Sequence, residues 1–77
     1  MQEFHMQMSS FQQVQSFVRL AAEQPFEIRV GNDHQNINGK DLMGMFSLDY
    51  NRPVCVRADC QEEIFEAFRA TVESAIA

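Results

Sequence analysis

The sequence predicts an α+β fold in which three helices cover one face of a four-stranded antiparallel sheet, an open-faced sandwich with the element order βαββαβα. Three observations predict this fold. Four segments alternate between apolar and polar residues, as half-buried strands do, and three others repeat apolar residues at helical spacing. All of them fit within 77 residues, which is the length of a single domain, residues 1–77, with one core.

The first strand and the first helix are predicted over residues 2–8 and about 11–23. Alternation along 2–8 places His5 on the outer face of the strand. Ser10 stands three residues before Gln13, which is the spacing of a capping box and predicts that Ser10 caps the helix. The apolar residues expected to face the core are Phe4, Met6, Met8, Phe11, Val14, Phe17, Val18 and Ala21.

A hairpin is predicted over residues 26–39. Residues 26–30 alternate again and give the second strand, and the tripeptide Gly31-Asn32-Asp33 is typical of a turn. The third strand, around residues 34–39, is mostly polar. That composition favours an edge strand, with Ile37 as its inward anchor.

The second helix is predicted over roughly residues 42–48, with Asp41 as its N-cap. The carboxylate of Asp41 is expected to accept hydrogen bonds from free backbone amides and to complement the positive end of the helix dipole. Pro53 marks the beginning of the fourth strand. Alternation there predicts that Cys55 and Arg57 face outward.

The last helix is predicted after a second capping box, from Asp59 to Glu62. Apolar residues then recur at helical spacing almost to the end of the chain: Ile64, Phe65, Phe68, Val72, Ala75 and Ile76. Cys55 and Cys60 lack the spacing of a zinc or redox motif, so two reduced thiols are expected.

Composition and charge argue against several classes of function. Six basic residues against eleven acidic ones give a net charge of −5, which disfavours binding to nucleic acid or to an anionic membrane. The apolar runs are too short for a membrane span or a secretory signal, so a cytoplasmic protein is expected. Neither a metal site nor a cofactor is expected. An enzyme is not expected either, because no nucleophile with a base, carboxylate pair or glycine-rich phosphate loop emerges.

Residues 40–48, KDLMGMFSL, point to a family. They resemble the segment K-S-I-M-G-V-M-S-L of the histidine-containing phosphocarrier protein, HPr, of the bacterial sugar phosphotransferase system. The helical segment 16–18 and the acidic segment 59–63, DCQEE, are further points of similarity. The resemblance implies an HPr-like open-faced sandwich. It also implies a relation to proteins that carry a phosphoryl group from a phosphoenolpyruvate-charged donor to sugar transporters.

The functional positions implied by the resemblance do not hold the family's residues. The phosphorylated histidine falls on Ser10, and the neighbouring arginine and proline fall on Gln12 and Gln13. A serine phosphate ester lacks the transfer potential of a phosphoimidazole, so Ser10 is interpreted as a helix cap. A working carrier would have to use His5 or His34, and each is interpreted as an ordinary exposed histidine.

The family's regulatory serine, at the beginning of the middle helix, corresponds to Asp41. Two interpretations stay open for this residue. Asp41 is either only an N-cap, or a permanent negative charge that resembles a phosphorylated serine, although a carboxylate carries one charge instead of about 1.5 to 2.

By the same resemblance, Leu42, Met43 and Phe46 correspond to the apolar residues with which the family docks its partners, and Gly44 lets a partner approach. Alternatively, these residues close over the local core or form a homodimer contact. The leading hypothesis is a non-catalytic HPr-like regulatory or docking protein whose partners are phosphotransferase-system or transcriptional proteins. The alternatives are an active phosphocarrier and a small dimer-forming assembly module, and the expected state is a monomer or a weak dimer.

Overall fold

The structure, a computed structural model, describes residues 1–32 and 35–76. Over these residues the order is the predicted βαββαβα, so the predicted fold class is confirmed. The strands are β1 (Gln2–Met6), β2 (Ile28–Gly31), β3 (Asn36–Asn38) and β4 (Val54–Ala58). The helices are α1 (Phe11–Ala22), α2 (Leu42–Phe46) and α3 (Glu62–Ile76).

The sheet has the strand order β1-β4-β2-β3, and each pair of neighbouring strands is antiparallel. Phe4, Val56 and Val30 stand in one row across three strands, and all three are buried. Because side chains alternate along a strand, the adjacent rows point away from the helices. β3 lies at the edge of the sheet, as its polar sequence predicted.

The core lies between the sheet and the helices, and its largest fully buried side chains include Phe17, Phe65, Met8, Ile28 and Met45. Aromatic contacts join the two long helices to each other and to the sheet. The rings of Phe17 and Phe68 are 6.0 Å apart, and those of Phe4 and Phe65 are 5.4 Å apart. Such pairs add about 0.5 to 1.5 kcal/mol beyond the area they bury, so they help to fix α3 against both α1 and β1.

Two helices begin or end differently from the prediction. α2 ends at Phe46 instead of residue 48, because the amide and hydroxyl of Ser47 both donate to the carbonyl of Gly44, at 3.0 and 2.6 Å, and tighten the turn. The predicted capping box at Asp59 is wrong. α3 begins at Glu62, and the carbonyl of Gln61 accepts from Phe65 at 3.0 Å, so Asp59 lies too far before the helix.

Three apolar residues that belong to the predicted helical patterns are exposed. Phe11, the first residue of α1, is exposed, and its ring packs against Phe46 instead of the core. Ile64 and Ala75 flank the apolar stripe of α3 and face solvent. Helical spacing alone defines a face, but it does not show how much of that face the sheet covers.

Candidate docking site on the first two helices

The start of α1 is organised by Ser10, the position where the family resemblance expects the phosphorylated histidine. Ser10 has extended backbone angles, and its hydroxyl oxygen accepts from the amide of Gln13 at 3.2 Å. Its carbonyl accepts from the amide of Val14, also at 3.2 Å. The prediction that Ser10 caps the helix is therefore confirmed.

Gln13 ties the start of α1 to the end of α3. Its side-chain oxygen accepts from the amide of Ser9 at 2.6 Å and from the Ser9 hydroxyl at 3.2 Å. Its side-chain nitrogen donates to the carbonyl of Ile76 at 3.0 Å. The return bond of the capping box thus reaches Ser9 instead of Ser10, and both ends of the Gln13 amide are engaged within the protein.

The groove beside Ser10 has no charge to stabilise a phosphate. Its volume is about 250 Å³, and the described residues that line it are Ser9, Ser10, Phe11, Val14, Phe46 and Tyr50. Gln12 is exposed. A serine hydroxyl without a neighbouring base is a weak nucleophile, and the described residues of this groove supply no such base.

Asp41 precedes α2 in an extended conformation, but its side chain makes no capping hydrogen bond. The prediction of a carboxylate bonded to the helix amides is therefore wrong. The carboxylate lies beside Gly44, where a Cβ atom would come within 3.0 Å of its Oδ2. The charge still lies at the positive end of a helix, where it is favourable by about 0.3 to 1 kcal/mol.

Gly44 faces the sheet instead of a partner. A Cβ atom at this position would lie 2.7 Å from Cγ2 of Ile37 in β3, which is closer than side-chain carbons approach each other. The absent side chain therefore allows α2 to pack tightly on the edge strand. The sequence suggested that Gly44 lets a partner approach closely, but in the structure it is β3 of the same chain that approaches Gly44.

The predicted docking residues differ in exposure. Met43 is 77% exposed, whereas Leu42 and Phe46 are half-buried and pack against the core. Phe11, which is 73% exposed, meets Phe46 edge to face at 5.1 Å between ring centroids. We define the apolar patch as Phe11, Leu42, Met43 and Phe46. Some of the apolar surface of α2 therefore closes the core and some faces solvent.

Tyr50 supports the end of α2, which carries part of the apolar patch. This residue was not identified from the sequence. Its hydroxyl donates to the carbonyl of Met45 near the end of α2, and its carbonyl accepts from the side chain of Gln7 at 2.5 Å. Burial raises the pKa of Tyr50 to about 12. A single tyrosine between two polar residues offered no periodic signal, whereas Phe11 could have been found as the first residue after a capping serine.

His5 lies on the opposite side of the molecule, on the face of the sheet without helices. It lines a pocket there together with the arginines Arg52 and Arg57 and the thiol of Cys55. Burial raises the pKa of the Cys55 thiol, which donates to Glu3 at 3.6 Å. Cys55 and Cys60 are both free. The other candidate, His34, lies outside the described residues.

Residues 1–32 and 35–76 contain neither a metal-binding cluster nor a membrane-spanning helix. No group of three or more His, Cys, Asp or Glu residues there is arranged to hold a metal ion. Among the helices of residues 1–32 and 35–76, none is long and apolar enough to cross a membrane.

The chain has been compared with known proteins. No family model matches the sequence, and no curated protein matches it. Among solved structures, HPr-C-His from Thermoanaerobacter tengcongensis is similar, with a TM-score of 0.74 and 24% identity over 96% of this chain and 93% of that chain. The Bacillus subtilis catabolite repression protein Crh, an intertwined dimer with a swapped domain, has a TM-score of 0.66 and 21% identity over 92% of this chain and 86% of that chain.

At these identities the comparison shows the fold. The chain has the HPr-like open-faced sandwich that residues 40–48 implied. Fold alone does not assign an activity, because unrelated functions share common folds.

Proposed function

We propose that this protein is a non-catalytic HPr-like docking protein that presents the apolar patch to protein partners of the phosphotransferase system or of the transcriptional control linked to it. The observation that carries the proposal is the exposed apolar patch beside a helix start that holds a capping serine. In this proposal the protein binds partners of a phosphocarrier without carrying a phosphoryl group.

The polar contacts at the start of α1 support the non-catalytic part. The Ser10 hydroxyl oxygen already accepts from Gln13 at 3.2 Å, and Gln13 is engaged at both ends of its side chain. No cation lines the groove beside Ser10 among its described residues. A phosphate placed on Ser10 would break the cap and find no positive side chain to compensate.

The exposure of Phe11 and Met43 supports the docking part. Large apolar side chains that lie together and exposed on a small protein usually mark an interaction surface. Met43 adapts to partners of different shape because its side chain is flexible and polarizable. Phe46 holds Phe11 in place by an edge contact at 5.1 Å, so part of the surface is already ordered before a partner binds.

Asp41 adds a fixed negative charge to the same surface. Its carboxylate makes no capping bond, and no ion pair joins it to another described residue. The interpretation as an N-cap alone is therefore weakened. We infer that partners which recognise a phosphorylated serine at this position in HPr proteins encounter a permanent, smaller charge here.

The test combines labelling with competition. The protein is mixed with the phosphotransferase donor enzyme, labelled phosphoenolpyruvate and the host's active HPr. We expect this protein to stay unlabelled and to slow the labelling of HPr by competing for the donor. A label on any residue contradicts the non-catalytic claim, and undiminished labelling of HPr excludes the donor enzyme as a partner.

Two variants locate the competing surface. Met43→Glu is expected to abolish competition, because it places a charge in the centre of the apolar patch. Ile64→Glu is the matched control, since Ile64 is 45% exposed on α3 and lies outside the patch. Equal loss of competition in both variants would contradict docking through the patch.

A second candidate function is a working phosphocarrier that uses His5. It is favoured by one observation, the presence of Arg52 and Arg57 in the pocket that His5 lines. The labelling experiment also tests this function. Acid-labile label in the wild type that disappears in His5→Gln would establish it and overturn the proposal above.

A third candidate, a dimer-forming module, is favoured by the intertwined dimer of Crh. In that case the apolar patch would be covered by a second copy of the chain. Sedimentation of the wild type beside Phe46→Ser tests it, because a monomeric wild type excludes this use of the patch.

A further inference from the structure

The pocket on the helix-free face of the sheet, here the open-face pocket, is built by the strand register. His5 of β1, Cys55 of β4 and Gly31 of β2 stand opposite one another in a single row. Gly31 contributes no side chain, so the row leaves a space above the buried Cys55. The volume is about 220 Å³, equivalent to about seven water molecules at ~30 Å³ each.

Hydrogen-bond donors outnumber free acceptors in this pocket. Arg52 lines it, and no hydrogen bond or ion pair joins Arg52 to another residue of the described ranges. Arg57 donates to Glu3 from its Nε at 3.2 Å, and its guanidinium carries two further amino groups with N–H donors. The imidazole of His5 adds a third donor.

Each of the two carboxylates at the pocket has one oxygen that already accepts within the chain. Glu3 Oε2 accepts from both Arg57 and the thiol of Cys55. Asp49, the carboxylate that lines the pocket itself, accepts from the amide of Asn51 at 2.9 Å. Among the described residues that line the pocket, two arginines stand against one carboxylate, so this lining is net positive although Glu3 pairs with Arg57 beside it and the chain carries a net charge of −5.

We propose that the open-face pocket binds a small phosphate monoester. A phosphate has three terminal oxygens, so it can accept from Arg52, Arg57 and His5 at the same time, and guanidinium groups bind it bidentately. A carboxylate has two oxygens in one plane and satisfies fewer of these donors. The volume leaves room for the phosphate and a short organic stem, but not for a nucleotide.

This site lies on the opposite side of the sheet from the apolar patch. Its ligand therefore does not compete directly with a protein docked on α1 and α2. Binding at the open-face pocket does not depend on docking at the apolar patch, since neither Phe11 nor Met43 lines the pocket.

The test is a titration of the isotope-labelled protein with methyl phosphate, followed by amide chemical shifts at constant ionic strength. We expect saturable shifts for residues 5, 31, 32 and 52–57, and weaker binding of malonate, a dicarboxylate of similar size. The absence of saturable shifts at millimolar methyl phosphate would overturn the proposal. Equal affinity for malonate would overturn the assignment to a phosphate monoester.

Two variants with the same change in net charge distinguish binding at the open-face pocket from a general electrostatic attraction of the phosphate. Arg52→Gln is expected to weaken methyl phosphate binding about tenfold, the usual effect of losing one charge-assisted hydrogen bond. Arg19→Gln changes the net charge equally, but Arg19 is exposed in the last turn of α1, on the other side of the sheet. It is expected to leave the affinity unchanged, and equal weakening by both variants would contradict the proposal.

A third variant should act in the opposite direction. Asp49→Asn removes the one carboxylate among the described residues that line the pocket, and it keeps an oxygen for the amide of Asn51. Binding of methyl phosphate is expected to become about threefold tighter, because a like charge is removed. Unchanged or weaker binding in this variant would show that the ligand does not occupy the pocket.

Discussion

Ser10 and Asp41 each precede a helix in an extended backbone conformation, but only Ser10 forms a capping bond with its helix. At α1 the hydroxyl of Ser10 accepts from Gln13 at 3.2 Å. At α2 the carboxylate of Asp41 lies beside Gly44 and caps nothing. The family resemblance assigns phosphorylation to both positions. Ser10 uses its side chain to cap a helix, whereas the side chain of Asp41 makes no capping bond.

The difference follows from how each helix is held. α1 has twelve residues and four buried apolar side chains, and its start is tied to the end of α3 by Gln13. α2 has five residues, and the turn before it is held by hydrogen bonds from Gly39 to Ile28 at 2.8 Å and from Asp41 to Asn38 at 3.0 Å. A helix positioned by its turn does not need a side-chain cap, which leaves the Asp41 charge exposed.

The largest effect is expected at Gly44, which holds α2 against the sheet. In Gly44→Ala the new methyl group would lie 2.7 Å from Cγ2 of Ile37, an atom on a stiff β-branched side chain. We expect a loss of about 1 to 3 kcal/mol in the free energy of unfolding, measured by urea denaturation.

The control for this variant is a double-mutant cycle with Ile37→Ala. Removing Cγ2 relieves the contact, so Gly44→Ala should be neutral or stabilising in that background, by up to about 1 kcal/mol from helix propensity. If the stability losses of Gly44→Ala and Ile37→Ala simply add, this contact does not position α2. The contrast between how α1 and α2 are held would then be wrong.

The next largest loss of stability is expected at Gln13, because its side chain joins α1 to both Ser9 and Ile76. Gln13→Ala removes all three hydrogen bonds, and we expect a loss of about 1 to 2 kcal/mol, measured by urea denaturation. Gln13→Glu keeps the acceptor for Ser9 and loses only the donor to Ile76, so it should lose less. A larger loss for Gln13→Glu would place the main contribution in the contact with α3.

Tyr50 holds the end of α2, and its effect depends on pH. Its pKa is raised by burial from 10.0 to about 12, so the folded chain holds the phenolic proton more tightly than the unfolded chain. The stability that this provides is complete below pH 10 and is lost as the pH rises from 10 to about 12.

Tyr50 is the only tyrosine in the sequence, so its phenolate absorbance can be titrated without interference. A midpoint near 10 would show that the hydroxyl is not buried. Tyr50→Phe loses the bond to the carbonyl of Met45 and is expected to lower the free energy of unfolding at neutral pH by about 1 kcal/mol. It should also remove this contribution to the loss of stability above pH 10.

The fold could be predicted because burial repeats along each element. Phe4 and Met8 alternate with polar residues, and Val14, Phe17 and Val18 recur at helical spacing, so the sequence records which face is covered. The sequence does not show where the covered surface ends. For that reason Phe11 was expected to face the core, although it is exposed at the start of α1.

The candidate site could be predicted only in part. Met43 was identified from the resemblance, but the packing of Gly44 on Ile37 and the free carboxylate of Asp41 depend on how α2 lies against β3. The open-face pocket was not predicted, because it joins residues from three strands and a loop and requires their register. Neither feature leaves a periodic pattern in the sequence.

The smallest effect tests the comparison of the two helix starts directly. Ser10→Ala removes a capping acceptor and should lower the free energy of unfolding by about 1 kcal/mol. Asp41→Ala removes no hydrogen bond and only the charge at the helix start, so a loss of about 0.5 kcal/mol or less is expected. Added salt should shrink the effect at Asp41, which is electrostatic, and leave the effect at Ser10 unchanged. Equal, salt-independent losses would mean that both side chains cap their helices in solution, and that Asp41 is not available as a charge for a partner.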